Sequence, residues 1–346
     1  MHRQSKCIGD RATQGAATMS QQHANESQRT SGRAPQAVTV GIHIVDILGR
    51  PVTAIPEGQG MVVLDEIRMT AAGTAAATAY GLARLGVPTA TFGRIGDDEL
   101  GGWLKDRLRR EGVDVTGLTV TDQAPTSATM LPIRPDGSRP ALHVPGASKF
   151  LGPENVDLDV VRSARHIHIG GTFLLDRLDG EPTAKLLRQA REWGLTTSVD
   201  IIGVPTADFE KVLGPVYPYI DYFLPNDEDA MMLSGTSSVA DASRWFRDRG
   251  VGTTAITLGA DGVAVASGDG EETIIPAYKV DVVDTSGCGD AFSAGFIAGL
   301  LDGLDPIAAA EQGVATGSAA ARGLGSDAGV RSRAELDEFI RTTPRA

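Results

Sequence analysis

The sequence predicts an α/β fold: a mainly parallel sheet with helices on both faces, in three α/β/α layers, carrying a small β lid. Three observations predict it. Short apolar runs alternate with amphipathic segments of helical period along most of the chain. Two stretches, about 50–68 and 126–145, break that alternation without offering a crossover helix. The chain of 346 residues holds 42 glycines, which gather at loop–helix junctions.

Residues 1–36 are rich in Ser, Gln, Thr and Gly and nearly free of large apolar side chains. Burial cannot offset their ordering entropy, so this tail is expected to be disordered. It has no apolar stretch of the kind a secretory signal needs, and Met19 within it is an alternative start. The folded domain is expected over 37–346, opening with a buried strand at 37–42. A helix follows over 75–85 and stops at Gly86, a residue suited to a left-handed cap. After a strand at 89–92, Asp97 or Asp98 caps a helix whose Leu100, Leu104 and Leu108 share one face, ending near Gly112. Further strands are predicted at 167–169, 196–199, 222–224 and 254–258, with helices near 181–193 and 238–249. Such spacing joins parallel strands through helices on both faces. Within 126–145, two strand-like runs flank Pro135-Asp136-Gly137, a hairpin signal. A lid that excludes water suits a transfer in which water is an unwanted acceptor.

Composition narrows the function. Lys and Arg number 32 against 44 Asp and Glu, a net charge of −12, which disfavours nucleic acid and anionic membranes as partners. No apolar run reaches the roughly 18 residues needed to span a bilayer. Two cysteines, Cys7 and Cys288, exclude a disulfide framework and a Cys-based zinc site. The expected location is the cytoplasm.

The chemistry concentrates in Asp284-Thr285-Ser286-Gly287-Cys288-Gly289-Asp290-Ala291-Phe292. Gly287 and Gly289 flank one small residue just before a helix bearing Phe292, Phe296 and Leu300 on one side. Glycines let backbone N–H groups close on an anion, and the helix start adds positive partial charge. Asp290 in the first turn would repel a phosphate but is placed to take a proton from an attacking hydroxyl. The bland alternative is a helix start with an acidic first turn. No Gly-Lys dipeptide occurs, so a P-loop is excluded. The first strand leads into Gly41-Ile42-His43-Ile44-Val45-Asp46, which lacks the Gly-x-Gly-x-x-Gly of a dinucleotide fold. Asp46 follows that strand, where a carboxylate can accept from two vicinal hydroxyls or simply be solvated.

The run 284–292 closely resembles the second signature of the PfkB (ribokinase-like) family of sugar and nucleoside kinases, and the resemblance extends over about 37–330. Residues 72–74 through 96–101 resemble its first signature, 225–229 its Asn-x-x-Glu segment and 257–262 its nucleotide-contacting turn. The resemblance implies a ribokinase-like fold and an ATP- and Mg²⁺-dependent kinase acting on a primary hydroxyl of a sugar or sugar-like substrate. In it Gly287, Cys288 and Gly289 form the anion hole and Asp290 is the base. Asp46, with Gly73 and Ala77, lines the sugar site. Asn226, Thr257, Gly259, Gly262 and Thr285 contact the nucleotide, with adenine between 257–262 and about 315–325. Asp229 and Asp284 serve metal sites, Mg²⁺ and a monovalent cation such as K⁺ respectively. It also implies a homodimer formed through the lid.

Three departures qualify this. Ala77 stands where many members carry a sugar-binding Asn, which makes ribokinase itself a poorer match. Asp229 stands for the family's Glu. Asp200 lacks the Asn and Arg often seen after it. An adenosine-like nucleoside kinase is the alternative, and a non-catalytic sugar-sensing protein of the same fold a further one.

Other residues admit two readings each. His166 and His168 share a strand face and are either a structural pair or two metal ligands. Cys288 at a helix start has either a lowered thiol pKa, hence sensitivity to alkylation, or a small-residue role beside the phosphate. Met130, Leu131, Ile133, Leu142 and Val144 line either the lid's sugar face or its core. Arg139 in the lid meets an anionic group or is solvated.

Overall fold

A computed structural model describes residues 34–135 and 138–346. Most of the expected tail and the Asp136-Gly137 centre of the expected turn lie outside the described residues. Strands β1 (Ala37–Gly41), β2 (Ile44–Arg50) and β3 (Glu66–Ala72) lead into α1 (Thr74–Arg84), β4 (Thr89–Gly96) and α2 (Glu99–Arg110). Then come β5 (Leu118–Thr121), β6 (Ala128–Pro132), β7 (Leu142–Val144), α3 (Leu158–Arg162), β8 (His166–Thr172), α4 (Glu181–Glu192) and β9 (Thr196–Ile201). Next are α5 (Phe209–Leu213), β10 (Tyr222–Phe223), α6 (Asp227–Ser234), α7 (Val239–Arg247), β11 (Thr253–Thr257), β12 (Val263–Ser267) and β13 (Thr273–Ile275). The last three helices are α8 (Cys288–Leu301), α9 (Pro306–Ala320) and α10 (Arg333–Thr342).

The large sheet has the order β13-β12-β11-β10-β9-β8-β1-β4-β5. It is parallel from β5 to β11; β12 then pairs antiparallel with β11, and β13 antiparallel with β12. Val38, Ile167, Val199 and Phe223 share one core with Leu187 of α4 and Phe246 of α7. Ala37, Ala255 and Val265 belong to a second core with Phe296 of α8 and Val314 of α9. Helices therefore cover both faces, as the alternation predicts. Among the described residues no helix is long and apolar enough to cross a membrane.

Two local devices aim the site. At Gly41 a Cβ would lie 1.8 Å from the Gly170 carbonyl oxygen, so the chain leaves β1 pressed against β8. His43 is fully buried and pins this exit, its Nε2 2.9 Å from Thr91 Oγ1 and its Nδ1 3.0 Å from the Gly41 carbonyl. Burial lowers its pKa to about 4, so it is a neutral bolt. Of the two candidate caps on α2, Asp98 is the one used. Its Oδ1 accepts from Gly101 N at 2.8 Å, and its carboxylate also holds Thr126 at the entry to β6.

The lid is a four-stranded sheet of order β3-β2-β6-β7. Its strands bracket the predicted segment rather than fill it. The expected 50–68 is mostly irregular chain between β2 and β3, and the sheet begins at Ile44. Val45 is buried against α2 while Asp46 and Leu48 are buried on the other face, so the strand lacks the polar–apolar alternation that marks a half-exposed one. The hairpin of 126–145 is present as β6 paired antiparallel with β7. Its apolar side chains divide between two faces. Leu131 and Ile133 pack with Leu48 and Leu324, whereas Met130 and Leu142 are each 57% exposed and Val144 is exposed beside them.

Candidate active site

The loop before α8 is shaped by one glycine. Gly287 is the N-cap with φ 74°, and a Cβ there would lie 2.7 Å from Ser326 Cα, so both conformation and space require glycine. Asp284 ties the loop down. Its Oδ1 accepts from Ser286 N at 2.9 Å and from Ser286 Oγ at 2.8 Å, and its Oδ2 accepts from Gly325 N at 2.8 Å. Both oxygens of Asp284 thus hold the loop together.

Asp290 is the third residue of α8 and lies close enough to Asp46 of β2 to feel its charge. Asp46 is buried, and Ser326 Oγ donates to its Oδ2 at 3.4 Å. Asp46 and Thr129 are register partners on β2 and β6, and the Thr129 hydroxyl hydrogen-bonds the carboxylate. Burial pushes Asp46 up to about 6, opposed by Thr129, Ser326 and Arg139. Burial, with the Asp46 charge adding to it, pushes Asp290 up to about 7. A carboxyl group with that value is divided between its two forms at neutral pH, which suits a group that accepts a proton and gives it up. Asp200, at the end of β9, lies close enough to feel Asp290 and Asp229. Burial, then those two charges, hold it well above the usual carboxylate range.

Against the start of α8 lies a cavity of about 580 Å³. Thr257, Gly259, Gly262, Thr285, Gly289 and Asn226 all line it, so the structure brings these sequence-predicted residues together. The 257–262 turn forms one wall, and Gly317, Ser318 and Ala321 are also on it. Val280, Val282 and Val314 give it an apolar part. Asn226 caps α6, accepting from Asp229 N at 2.7 Å and donating to Asp229 Oδ2 at 2.9 Å. Gly203 N reaches the same Oδ2 at 3.3 Å. Among the described residues no group of three or more His, Cys, Asp and Glu is placed to hold a metal unaided.

Arg139 is not solvated. It reaches from the lid into this cavity, where its Nη1 donates to Ser286 Oγ at 2.8 Å and its Nε lies 3.8 Å from Asp284 Oδ1. Gly73 caps α1 with φ 92°, and a Cβ would lie 2.5 Å from the Ile42 carbonyl oxygen, so close chain packing accounts for it. Ala77 is buried and lines a small internal space with Ser326 and Ala291. Ser326 and Thr129, the two hydroxyls on Asp46, escaped the sequence reading, because only the folded register places them there.

Two further readings resolve. His166 and His168 are fully buried and hydrogen-bonded to Thr196 and Ser198, and burial lowers both to about 3. They are a neutral structural pair. The lowered-pKa reading of Cys288 fails. Burial, with Asp284 and Asp290 nearby, pushes its thiol up to about 12 and outweighs the helix start.

The chain matches the description "pfkB family carbohydrate kinase" over residues 34–333. An ATP-dependent ribose-1-phosphate kinase of Halopiger xanaduensis is 32% identical over 268 residues, 77% of this chain and 86% of its own. A 2-dehydro-3-deoxygluconokinase of Bacillus subtilis is 28% identical over 281 residues, 78% of this chain and 86% of its own. Among solved structures, a ribokinase from Thermotoga maritima superposes with a TM-score of 0.76 at 22% identity, covering 89% of this chain and 100% of its own. That likeness shows the ribokinase-like fold.

At pH 7.5, iodoacetamide is expected to leave Cys288 largely unmodified, because the protonated thiol is a poor nucleophile. Peptide mass spectrometry after timed exposure checks this, and labelling at the rate of a free thiol would contradict it.

Proposed function

The chain belongs to the pfkB family of carbohydrate kinases, and from that membership we propose that Asp290 is the general base in a transfer of phosphoryl from ATP to a primary hydroxyl. The enzyme is an ATP-dependent phosphotransferase acting on an alcohol group of a sugar-type substrate. One observation carries the assignment of the base: a carboxyl group pushed up to about 7 by burial sits in the first turn of a helix, close enough to Asp46 of the lid to feel its charge. Asp46 accepts hydrogen bonds from the sugar hydroxyls, with Thr129 and Ser326 fixing its carboxylate. Asp290 takes the proton as the hydroxyl oxygen attacks phosphorus. The glycine-flanked start of α8, at Gly287, Cys288 and Gly289, offers backbone donors to the transferred group. Arg139, arriving with the lid, brings a guanidinium to the same place.

The residues present fit nucleotide and metal. A cavity of about 580 Å³ with an apolar part and a glycine-cornered turn suits a nucleoside, and its α8 end suits phosphates. Mg²⁺ ordinarily keeps several waters and takes one or two carboxylates alongside substrate phosphates. Asp229, oriented by Asn226 and Gly203, supplies such a carboxylate, and Asn226 contributes an amide oxygen nearby. When bound there, Mg²⁺ neutralises phosphate charge. The acidic chain with two cysteines suits the cytoplasm, where ATP meets reduced thiols. A nucleoside acceptor is the second reading. It is favoured by Ala77, which withholds a side-chain amide from the region of Ser326.

The lid is also assigned as a homodimer surface. Ile67 is 71% exposed, and with Met69, Met130, Leu142 and Val144 it forms an apolar outer face, while the inner face carries Asp46 and Thr129 beside buried Leu48 and Leu131. A patch of this kind calls for a partner, and a second copy offers the matching face.

Asp290→Asn is expected to lower kcat by about 10²–10⁴ with KM values little changed. A coupled assay of ADP release over sugars, sugar acids and nucleosides checks it, and near-normal kcat would contradict the base assignment. Sedimentation velocity is expected to give a dimer that the double variant Met130→Lys, Leu142→Lys turns into a monomer. A wild-type monomer would remove the lid interface.

A further inference from the structure

The proposed reaction leaves unexplained a buried ion cluster at the root of the lid. Asp327 is 4% exposed and lies in the turn after α9. Its Oδ1 accepts from Arg68 of lid strand β3 at 2.8 Å, and its Oδ2 from Arg107 of α2 at 3.1 Å. Arg84 of α1 donates to the carbonyls of Asp327 and Val330 at 3.1 and 3.4 Å. Glu111 accepts from Arg84 at 3.0 Å and from Arg107 at 2.6 Å. The Tyr80 hydroxyl accepts from Arg84 and from Arg107 and donates to Glu111. Elements from the lid and the core thus converge on one turn.

That turn touches the reacting groups. Ser326 donates to Asp46, and Gly325 N donates to Asp284 at 2.8 Å. Ser326 also fills the space that a side chain at Gly287 would need. Gly325 packs on Thr70 of β3, where a Cβ would lie 2.4 Å from its Cγ2. One four-residue turn therefore contacts the sugar-facing carboxylate, the loop before α8 and the lid. We infer that Asp327 is a positioning residue: by binding Arg68 and Arg107 it latches the lid to the 324–327 turn, so that acceptor recognition at Asp46 and the shape of the 284–289 loop are set together. Arg68 and Arg107 each hold one oxygen of this buried carboxylate, so withdrawing Arg68 loosens the turn as well as the lid. The inference rests on the reading of Asp46 as the acceptor ligand for its kinetic consequence, but not for its structural one.

The test uses the full chain with Arg68→Met, Arg68→Lys and Asp327→Asn, and the double variant Arg68→Met, Asp327→Asn. Hydrogen–deuterium exchange without substrates is expected to speed up at 284–289 and 324–330 in Arg68→Met, although residue 68 lies in another element. In steady state, Arg68→Met is expected to raise the acceptor KM about five- to twentyfold, with the ATP KM held within about twofold. Arg68→Lys is expected to recover part of that loss, and the double variant to be no worse than Asp327→Asn alone. Exchange that rises only in β3, additive effects in the double variant, or a lower melting temperature with both KM values unchanged would overturn the latch. If Asp327→Asn does not fold, Arg68→Met and Arg68→Lys carry the decision. If no acceptor is phosphorylated by the wild-type chain, the kinase reading falls while the exchange measurement still decides the latch.

Discussion

Two carboxyl groups drawn out of water, one close enough to feel the charge of the other, are the constraint around which the candidate site is organised. Asp46 comes from the lid and Asp290 from the first turn of α8, and each is desolvated. A like charge facing Asp290 disfavours its ionised form, which keeps its proton affinity near neutrality. Such an arrangement costs stability, and the surrounding structure over-determines it. Neutral His43 fixes where the chain crosses from sheet to lid, Thr129 and Ser326 hold one carboxylate, and the Gly287–Ser326 contact fixes the loop beneath the other.

The lid has two faces with different tasks. The polar side presents Asp46 and Thr129 to the site, and Arg139 extends from the β6–β7 segment to Ser286. Its apolar side carries Ile67 and Met130 outward. A partner on the outer face would leave the inner face to close over the acceptor, and the arginines around Asp327 tie that movement to the core.

How much of this the sequence disclosed follows from how local each signal is. The helices over 181–192 and 239–247 and the parallel strands could be read because apolar period and length suffice for them. The 284–290 run stands out because its glycines and Asp290 are contiguous at one helix start. Asp46 is expected just beyond the first strand, but it lies within a second strand, β2, since a strand buried on both faces shows no alternation and the β1–β2 break is only two residues long. Helix α6 was missed because eight residues with three acids in the first turn give no apolar face to detect. Ser326, Thr129 and Asp327 come to the site across 280, 83 and 37 positions from Asp46, Asp46 and Asp290 respectively, distances at which spacing carries no information. Of the two readings of Cys288 the small-residue role remains: a helix start lowers a thiol's pKa, but burial, with two carboxylates adding to it, is the larger effect here.

The most direct measurement is the pH dependence of kcat/KM for the wild-type chain and for Asp46→Asn. Because burial, with the Asp46 charge adding to it, raises Asp290, the account predicts a wild-type rate that rises with pH through a limb near 7, where Asp290 loses its proton. Removing the charge at position 46 should move the limb to lower pH, even though the rate itself falls. A wild-type limb at the ordinary carboxylate value of about 4, or one that Asp46→Asn leaves in place, would contradict the claim that these two groups face each other across the reacting hydroxyl.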